Sequence, residues 1–156
     1  ELSEILTEEE LAEAGRFLDD VSVVKEGVVA GKLGTHGMHD VTEGGILGAV
    51  WEMCHIADLG AELVEAQIPV HPVTEKVAAH FGINPLRLIS SGCMLIMAPA
   101  ETADELMEAV SDAGISVSCI GQVTEKKEGL HMVTKNRQRT EITPPAPDEL
   151  YKVVGR

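Results

Sequence analysis

The residues best suited to chemistry lie in one short run, Met38–Gly48, which leads into an apolar helix predicted over 43–57. Two adjacent glycines, Gly44 and Gly45, fall in the first turn of that helix, where each costs about 1 kcal/mol relative to alanine. Two arrangements would justify this cost. Either an anion such as phosphate approaches the backbone N–H groups, or another element packs directly against the bare backbone. The residues alone leave both interpretations open.

Polar residues ahead of the glycines provide two candidate helix caps. Asp40 and Glu43 have the spacing of a capping box, and Thr42 is a competent N-cap by itself. With either cap, we expect the N–H groups of the two glycines and of Ile46 to be unpaired donors at the positive end of the helix dipole. A phosphate could bind to such a helix start.

A second short segment, Ser90-Ser91-Gly92, directly precedes the apolar run 93–98, which predicts a buried central strand. Its hydroxyl groups and backbone would therefore lie at the beginning of that strand. A turn of this kind either lines a cleft or simply connects a helix to a strand.

Three potential metal ligands, His36, His39 and Asp40, lie close together in the chain. They have no fourth ligand at a suitable spacing, and no known metal motif accompanies them. We therefore predict no metal site. His55, on the apolar helix, is predicted to be a half-buried histidine rather than a catalyst.

The composition indicates one domain with an aliphatic core. Of 156 residues, 44% are hydrophobic but only 3% are aromatic, and the net charge of −14 argues against nucleic acid or an anionic membrane as a partner. The three cysteines are predicted to be core residues of a reducing compartment. With no signal peptide or membrane span in the sequence, we expect a cytoplasmic protein. The first residue is Glu1 rather than methionine, which suggests a piece of a longer protein.

The pattern of elements favours an α+β fold. Helical spacing predicts helices over 21–33, 71–81 and 101–113, a capping box at Thr7 and Glu10, and short helices over 84–89 and 148–153. Strands are predicted over 61–64, 93–98, 116–123, 130–134 and 140–142. We expect a layered α/β sandwich with a mixed sheet, as one domain over 1–156. It comprises N-terminal helices (1–34), a core (35–143) and a C-terminal tail (144–156).

Several motifs together resemble one family. The run 38–47 is similar to the segment that opens the C-terminal domain in the aminoimidazole ribonucleotide (AIR) synthetase superfamily, which includes selenophosphate synthetase, thiamine-monophosphate kinase and the hydrogenase maturation protein HypE. The similarity continues, in the same order, through Gln67–Val70, Gly82–Leu86, Ser90–Gly92 and Ile120–Val123. HypE-type members resemble this chain in particular.

The resemblance implies one domain of an ATP-dependent enzyme. Members of this family are dimers with an N-terminal domain that binds ATP and Mg²⁺ and a C-terminal α/β sandwich, partly ferredoxin-like, that closes over the ATP cleft. The chain has no counterpart of the N-terminal domain, which would be its partner together with a second copy and a small-molecule substrate. The resemblance places the following residues at the nucleotide cleft and assigns no catalytic residue: Asp40, Thr42, Gly44, Gly45, Ser90, Ser91 and Gly92.

This chain departs from the HypE-type pattern at two places. HypE-type proteins usually carry proline and arginine where this chain has Val41 and Glu43, and a glutamate repels phosphate. They also end in a cysteine that accepts a carbamoyl group, whereas this chain ends in Gly155-Arg156.

The first hypothesis is that the full-length protein uses ATP to phosphorylate or activate a small substrate, and that the isolated domain is inactive. The alternative is a non-catalytic module that binds a partner or a metabolite and keeps only the fold.

Overall fold

A computed structural model of the chain describes residues 2–154. Its helices and strands alternate in the first half of the chain, and three of the strands follow one another near the end. The helices are α1 (Leu2–Ile5), α2 (Glu8–Arg16), α3 (Val24–Leu33), α4 (Gly45–Ala57), α5 (Pro72–Phe81), α6 (Ala103–Asp112) and α7 (Tyr151–Val154). The strands are β1 (Gly37–Asp40), β2 (Leu59–Val64), β3 (Met94–Met97), β4 (Gly121–Glu125), β5 (Leu130–Val133) and β6 (Arg139–Glu141).

The strands within residues 2–154 form two sheets. Strands β1 and β3 pair antiparallel, with Asp40 opposite Met94. The other four have the order β4-β2-β5-β6, in which β2 and β5 are parallel and the other two pairs are antiparallel. The predicted α+β class with a mixed sheet is therefore confirmed.

Helix α4 lies between the two sheets and supplies the largest part of the core. Its buried residues Leu47, Val50 and Cys54 pack with residues of β2, and Leu95 and Met97 of β3 contact the same cluster. A second cluster joins α3 and α6 and includes Ile96 of β3 at its edge. Because successive residues of a strand point to opposite faces, the β1–β3 pair is covered by α4 on one face and by α3 and α6 on the other.

This double cover explains one wrong prediction. The run 93–98 was expected to be a buried central strand, but β3 is limited to Met94–Met97 and its residues are only partly buried. Among the strands of residues 2–154 it pairs with β1 alone. Its continuous apolar character comes from the helices on both faces and not from a central position in a large sheet. Cys93, just before the strand, is exposed.

Other predictions can be compared directly. The capping box of Thr7 and Glu10 is confirmed. The strand expected over 116–123 begins only at Gly121; before it, Val117 packs against the second core cluster and Ile120 against the first. The prediction of core cysteines holds for Cys54 and is wrong for Cys93 and Cys119, which are exposed. None of the helices in residues 2–154 has the length and apolar character needed to cross a bilayer.

Candidate functional site

The structure brings the two predicted segments together. Because β1 and β3 are antiparallel, the end of β1 lies beside the beginning of β3. The contact continues past the strand, where the N–H of Val41 donates to the carbonyl of Cys93 at 2.9 Å. We call residues 40–45 the glycine loop and residues 90–93 the serine turn. These two segments lie side by side, and together they form the candidate site.

The polar side chains of these segments differ in how freely they could reach a ligand. The Asp40 side chain is 65% exposed, and Thr42 and Ser91 are exposed as well. Ser90 is half-buried, and its Oγ lies 3.2 Å from Sγ of Cys93. The accessible groups thus include the Asp40 carboxylate and the hydroxyls of Thr42 and Ser91, whereas the exposed Glu43 carboxylate is engaged by the Tyr151 hydroxyl.

His39 fixes the end of β1 to helix α4. Its Nδ1 lies 2.5 Å from the backbone oxygen of Asp40, and its Nε2 lies 2.8 Å from Oε2 of Glu52. The sequence offered His39 only as a possible metal ligand. Among residues 2–154, no group of three His, Cys, Asp or Glu side chains is arranged to hold a metal ion. The His39–Glu52 pair was missed because it depends on how the strand packs on the helix.

The start of α4 differs from both predicted caps. The N-cap residue is Gly44, in the left-handed conformation with φ +83°, and no side-chain cap is formed. The N–H of Gly45 donates to the carbonyl of Thr42 at 3.1 Å, and that of Gly44 donates to Oδ2 of Asp148 at 2.8 Å. Two of the three N–H groups that we expected to be unpaired therefore have partners. The caps at Asp40 and Thr42 are wrong because the helix begins only at Gly45, with Gly44 as its N-cap.

Close packing accounts for Gly45. A Cβ atom at this position would lie 2.6 Å from the carbonyl oxygen of Leu86 and 2.8 Å from that of Leu88, and the φ of +61° is itself unfavourable for other residues. Gly44 has more room, since its nearest neighbour would be Cβ of Pro145 at 3.4 Å. Of the two interpretations of the glycine pair, direct packing thus applies to Gly45. At Gly44 the left-handed backbone conformation, and not a close neighbour, favours glycine.

A third part of the site was not predicted. Residues 143–154, which we call the C-terminal segment, cross the start of α4 and place Asp148 at 3% exposure and Glu149 at 8%. Farther along, the Tyr151 hydroxyl donates to Oε1 of Glu43 at 2.6 Å, and this hydrogen bond raises the pKa of Tyr151. The sequence indicated only a C-terminal tail here, with an extended proline-rich link over 144–147 and a short helix over 148–153. An acidic pair after a proline-rich stretch was the one available signal.

Comparison with known proteins identifies the family. Residues 3–133 match the model described as "AIR synthase related protein, C-terminal domain". The chain belongs to this family. The matched range includes the glycine loop and the serine turn of this AIR synthase related domain, and it ends before the C-terminal segment.

Among its relatives, carbamoyl dehydratase HypE of Escherichia coli (strain K12) is 29% identical over 96 residues, which are 60% of this chain and 29% of that protein. A crystal structure of E. coli HypE superposes with a TM-score of 0.65 and 25% identity, covering 74% of this chain and 37% of that one. A structure of HypE in complex with ATP has a TM-score of 0.65 at 20% identity, covering 70% and 36%, and shows the common fold. The chain spans about a third of its curated relatives' length, or less.

Proposed function

We propose that this domain forms one wall of a nucleotide- and substrate-binding cleft in a HypE-like protein. The full-length protein would use ATP, with Mg²⁺, to phosphorylate or activate an oxygen atom of a small substrate. The opposite wall would come from its own N-terminal domain, and the whole would be a homodimer. Two comparisons support the proposal: the relatives named HypE and the HypE structure in complex with ATP.

The observation that carries the proposal is the convergence of the glycine loop and the serine turn. Two segments that are about 50 residues apart in the sequence present Asp40, Thr42 and Ser91 on one exposed edge. The glycines shape this edge. Besides the packing of Gly45, a Cβ on Gly92 would lie 2.3 Å from the backbone oxygen of Asp20, so only glycine fits in the serine turn.

The chemistry of these side chains fits particular parts of a nucleotide. Carboxylate and hydroxyl oxygens suit Mg²⁺ or the ribose hydroxyls, whereas a bare phosphate would be repelled by Asp40 and Glu43. We therefore assign Asp40 to the metal or the ribose, and Thr42 and Ser91 to hydrogen bonds with the ligand. Bound ATP would supply the phosphoryl group, and the role of this wall would be to position it.

A non-catalytic binding module is the second candidate. One observation favours it: two carboxylates, those of Glu43 and Asp148, are held near the start of α4, where an ATP-binding loop would need to receive phosphate. In such a module, the exposed edge would bind a partner or a metabolite without ATP.

Calorimetry with ATP and Mg²⁺ on the full-length protein separates the two candidates. We expect Asp40→Ala to weaken ATP binding at least tenfold, on the order of 1.4 kcal/mol for the loss of one charged contact. Asp112→Ala, which removes an exposed acid from the end of α6, is the matched control and should leave the affinity unchanged. Equal affinities in wild type and Asp40→Ala would exclude the glycine loop from the nucleotide site.

A further inference from the structure

A cavity of about 210 Å³ lies at the C-terminal end of α4, at the opposite end of this helix from the glycine loop. Because α4 has 13 residues and a helix rises about 1.5 Å per residue, the two ends are on the order of 20 Å apart. The lining residues come from the end of α4, the start of β2 and the turn between β4 and β5: Trp51, Cys54, His55, Asp58, Leu59, Lys126, Gly129 and Leu130. The cavity therefore shares no residue with the glycine loop or the serine turn.

One side of the cavity is a flat aromatic wall. The rings of Trp51 and His55 are stacked, with centroids 4.6 Å apart and planes inclined by 12°. Trp51 packs against the first core cluster, to which the buried Cys54 belongs, whereas His55 is exposed. The wall thus extends from the core to the surface. Since an apolar cavity of about 150 Å³ accepts benzene, this one has room for a six-membered ring with a short substituent.

A carboxylate is held at the mouth of the cavity against two local preferences. Asp58 directly follows the last residue of α4, where the helix dipole is negative and favours a cation. Its backbone is left-handed with φ +60°, a conformation that glycine or asparagine usually provides after a helix. Where a residue departs from local preferences in this way, a functional role is the usual reason.

Lys126 already forms an ion pair with this carboxylate. Its Nζ contacts Oδ1 of Asp58, and the side chains of the two residues are 69% and 72% exposed. Exposed pairs of this kind add little to stability, so another cation can take the place of the lysine ammonium at small cost. The lysine thus shows which charge Asp58 accepts.

The remaining electrostatics also favour a cation over an anion. The face of an indole ring such as that of Trp51 attracts cations, and the net charge of −14 raises their concentration near the surface. Among the lining residues within 2–154, Lys126 is the one permanent positive charge and therefore the one group that would favour an anion.

We propose that this cavity is a binding site for a small organic cation. The flat apolar body of the ligand lies against the wall formed by Trp51 and His55, and its ammonium or amidinium group binds Asp58 in place of Lys126. The site makes no use of the glycine loop or of ATP, so it stands or falls separately from the proposed function.

Three probes with the same ring test the charge that the cavity selects: benzylamine, a cation at neutral pH, neutral benzyl alcohol and anionic benzoate. Trp51 is the single tryptophan of the chain, so its fluorescence reports on the cavity, and the NMR signal of the Gly129 amide provides a second readout. We expect benzylamine to bind with a Kd at least about tenfold lower than either of the other probes, the effect of one charged contact.

Three variants of the full chain locate the cation. Asp58→Asn keeps a residue that tolerates the left-handed backbone, and it should weaken benzylamine at least about tenfold. Lys126→Met keeps the apolar stem but removes the competing ammonium, and it should tighten benzylamine by about threefold or more. Lys127→Met is the matched control. This lysine lies in the same turn but pairs with Glu125 at 2.6 Å, so its removal should change nothing.

The opposite signs expected for Asp58→Asn and Lys126→Met distinguish the site from a general loss of structure, which would weaken binding in both. Benzoate that binds more tightly than benzylamine, and loses affinity in Lys126→Met, would make the cavity an anion site and overturn the proposal. Equal affinity for benzylamine in wild type and Asp58→Asn would overturn it as well. So would the absence of a saturable shift of the Gly129 amide at millimolar benzylamine.

Discussion

Replacing Gly45 by alanine tests whether close packing explains the glycine pair. The new Cβ would lie 2.6 Å from the oxygen of Leu86, 2.8 Å from that of Leu88 and 2.9 Å from the carbonyl carbon of Arg87. All three are backbone atoms, so none can move aside by a change of rotamer. Either the backbone of residues 86–88 must move away from α4, or the first turn of α4 must change its conformation.

The expected loss of stability has three contributions. The left-handed φ of +61° costs alanine about 1–2 kcal/mol, and the overpacking costs about 1–3 kcal/mol. Alanine also lowers the conformational entropy of the unfolded chain, which stabilises the folded protein by about 0.4–1 kcal/mol. We therefore expect Gly45→Ala to lower the free energy of unfolding by about 2–4 kcal/mol. In a urea titration this shifts the midpoint down by on the order of 1–2 M.

Two other glycines serve as controls in the same titration. Gly44 also has a positive φ but has no neighbour nearer than 3.4 Å, so Gly44→Ala should cost only about 1–2 kcal/mol. Gly15, in α2, has nothing within 4 Å, and Gly15→Ala should stabilise the protein by up to about 1 kcal/mol. If Gly45→Ala loses no more stability than Gly44→Ala, the packing explanation is refuted.

Two further predictions concern titratable groups. The hydrogen bond from Lys76 holds the pKa of Glu10 below its usual value of 4.5, so the stabilisation by this carboxylate is present above pH 4.5 and is lost as the pH falls through the lowered pKa. Thermal unfolding should show wild type more stable than Glu10→Gln above pH 4.5, with the difference shrinking as the pH falls through the lowered pKa of Glu10; a constant difference would contradict this. Burial raises the pKa of the Cys54 thiol, so a chromogenic disulfide reagent should modify two thiols rapidly and the third only after unfolding. Rapid modification of all three would show that Cys54 is accessible.

The helices were predictable because their signals are local. For α5, Pro72 at the first position and the left-handed Gly82 after the last are fixed by neighbouring residues, and the predicted range 71–81 differs from the observed one by a single residue. The capping box at Thr7 is equally local. Such signals depend on no other part of the chain.

The parts that could not be predicted depend on contacts between distant residues. The apolar run 93–98 shows that a strand is covered on both faces, but it does not show whether helices cover it or whether strands flank it. For this reason β3 was wrongly predicted to be the central strand of a large sheet. The caps at Asp40 and Thr42 were wrong because the packing of the segment at Leu86 sets where α4 begins. The role of Asp148 depends on a docking event that no local pattern describes.

The separation of Gly44 and Asp148 along the chain determines when, during synthesis, the hydrogen bond between them can form. The two residues are 104 positions apart. A ribosome adds about 5–20 residues per second, so about 5–20 s separate their synthesis. During that time the start of α4 is without its carboxylate, even after the family-matched residues 3–133 have been made. The glycine loop therefore takes its final form only after Asp148 has been made, and a chain cut before Asp148 would lack the carboxylate that accepts from the Gly44 N–H.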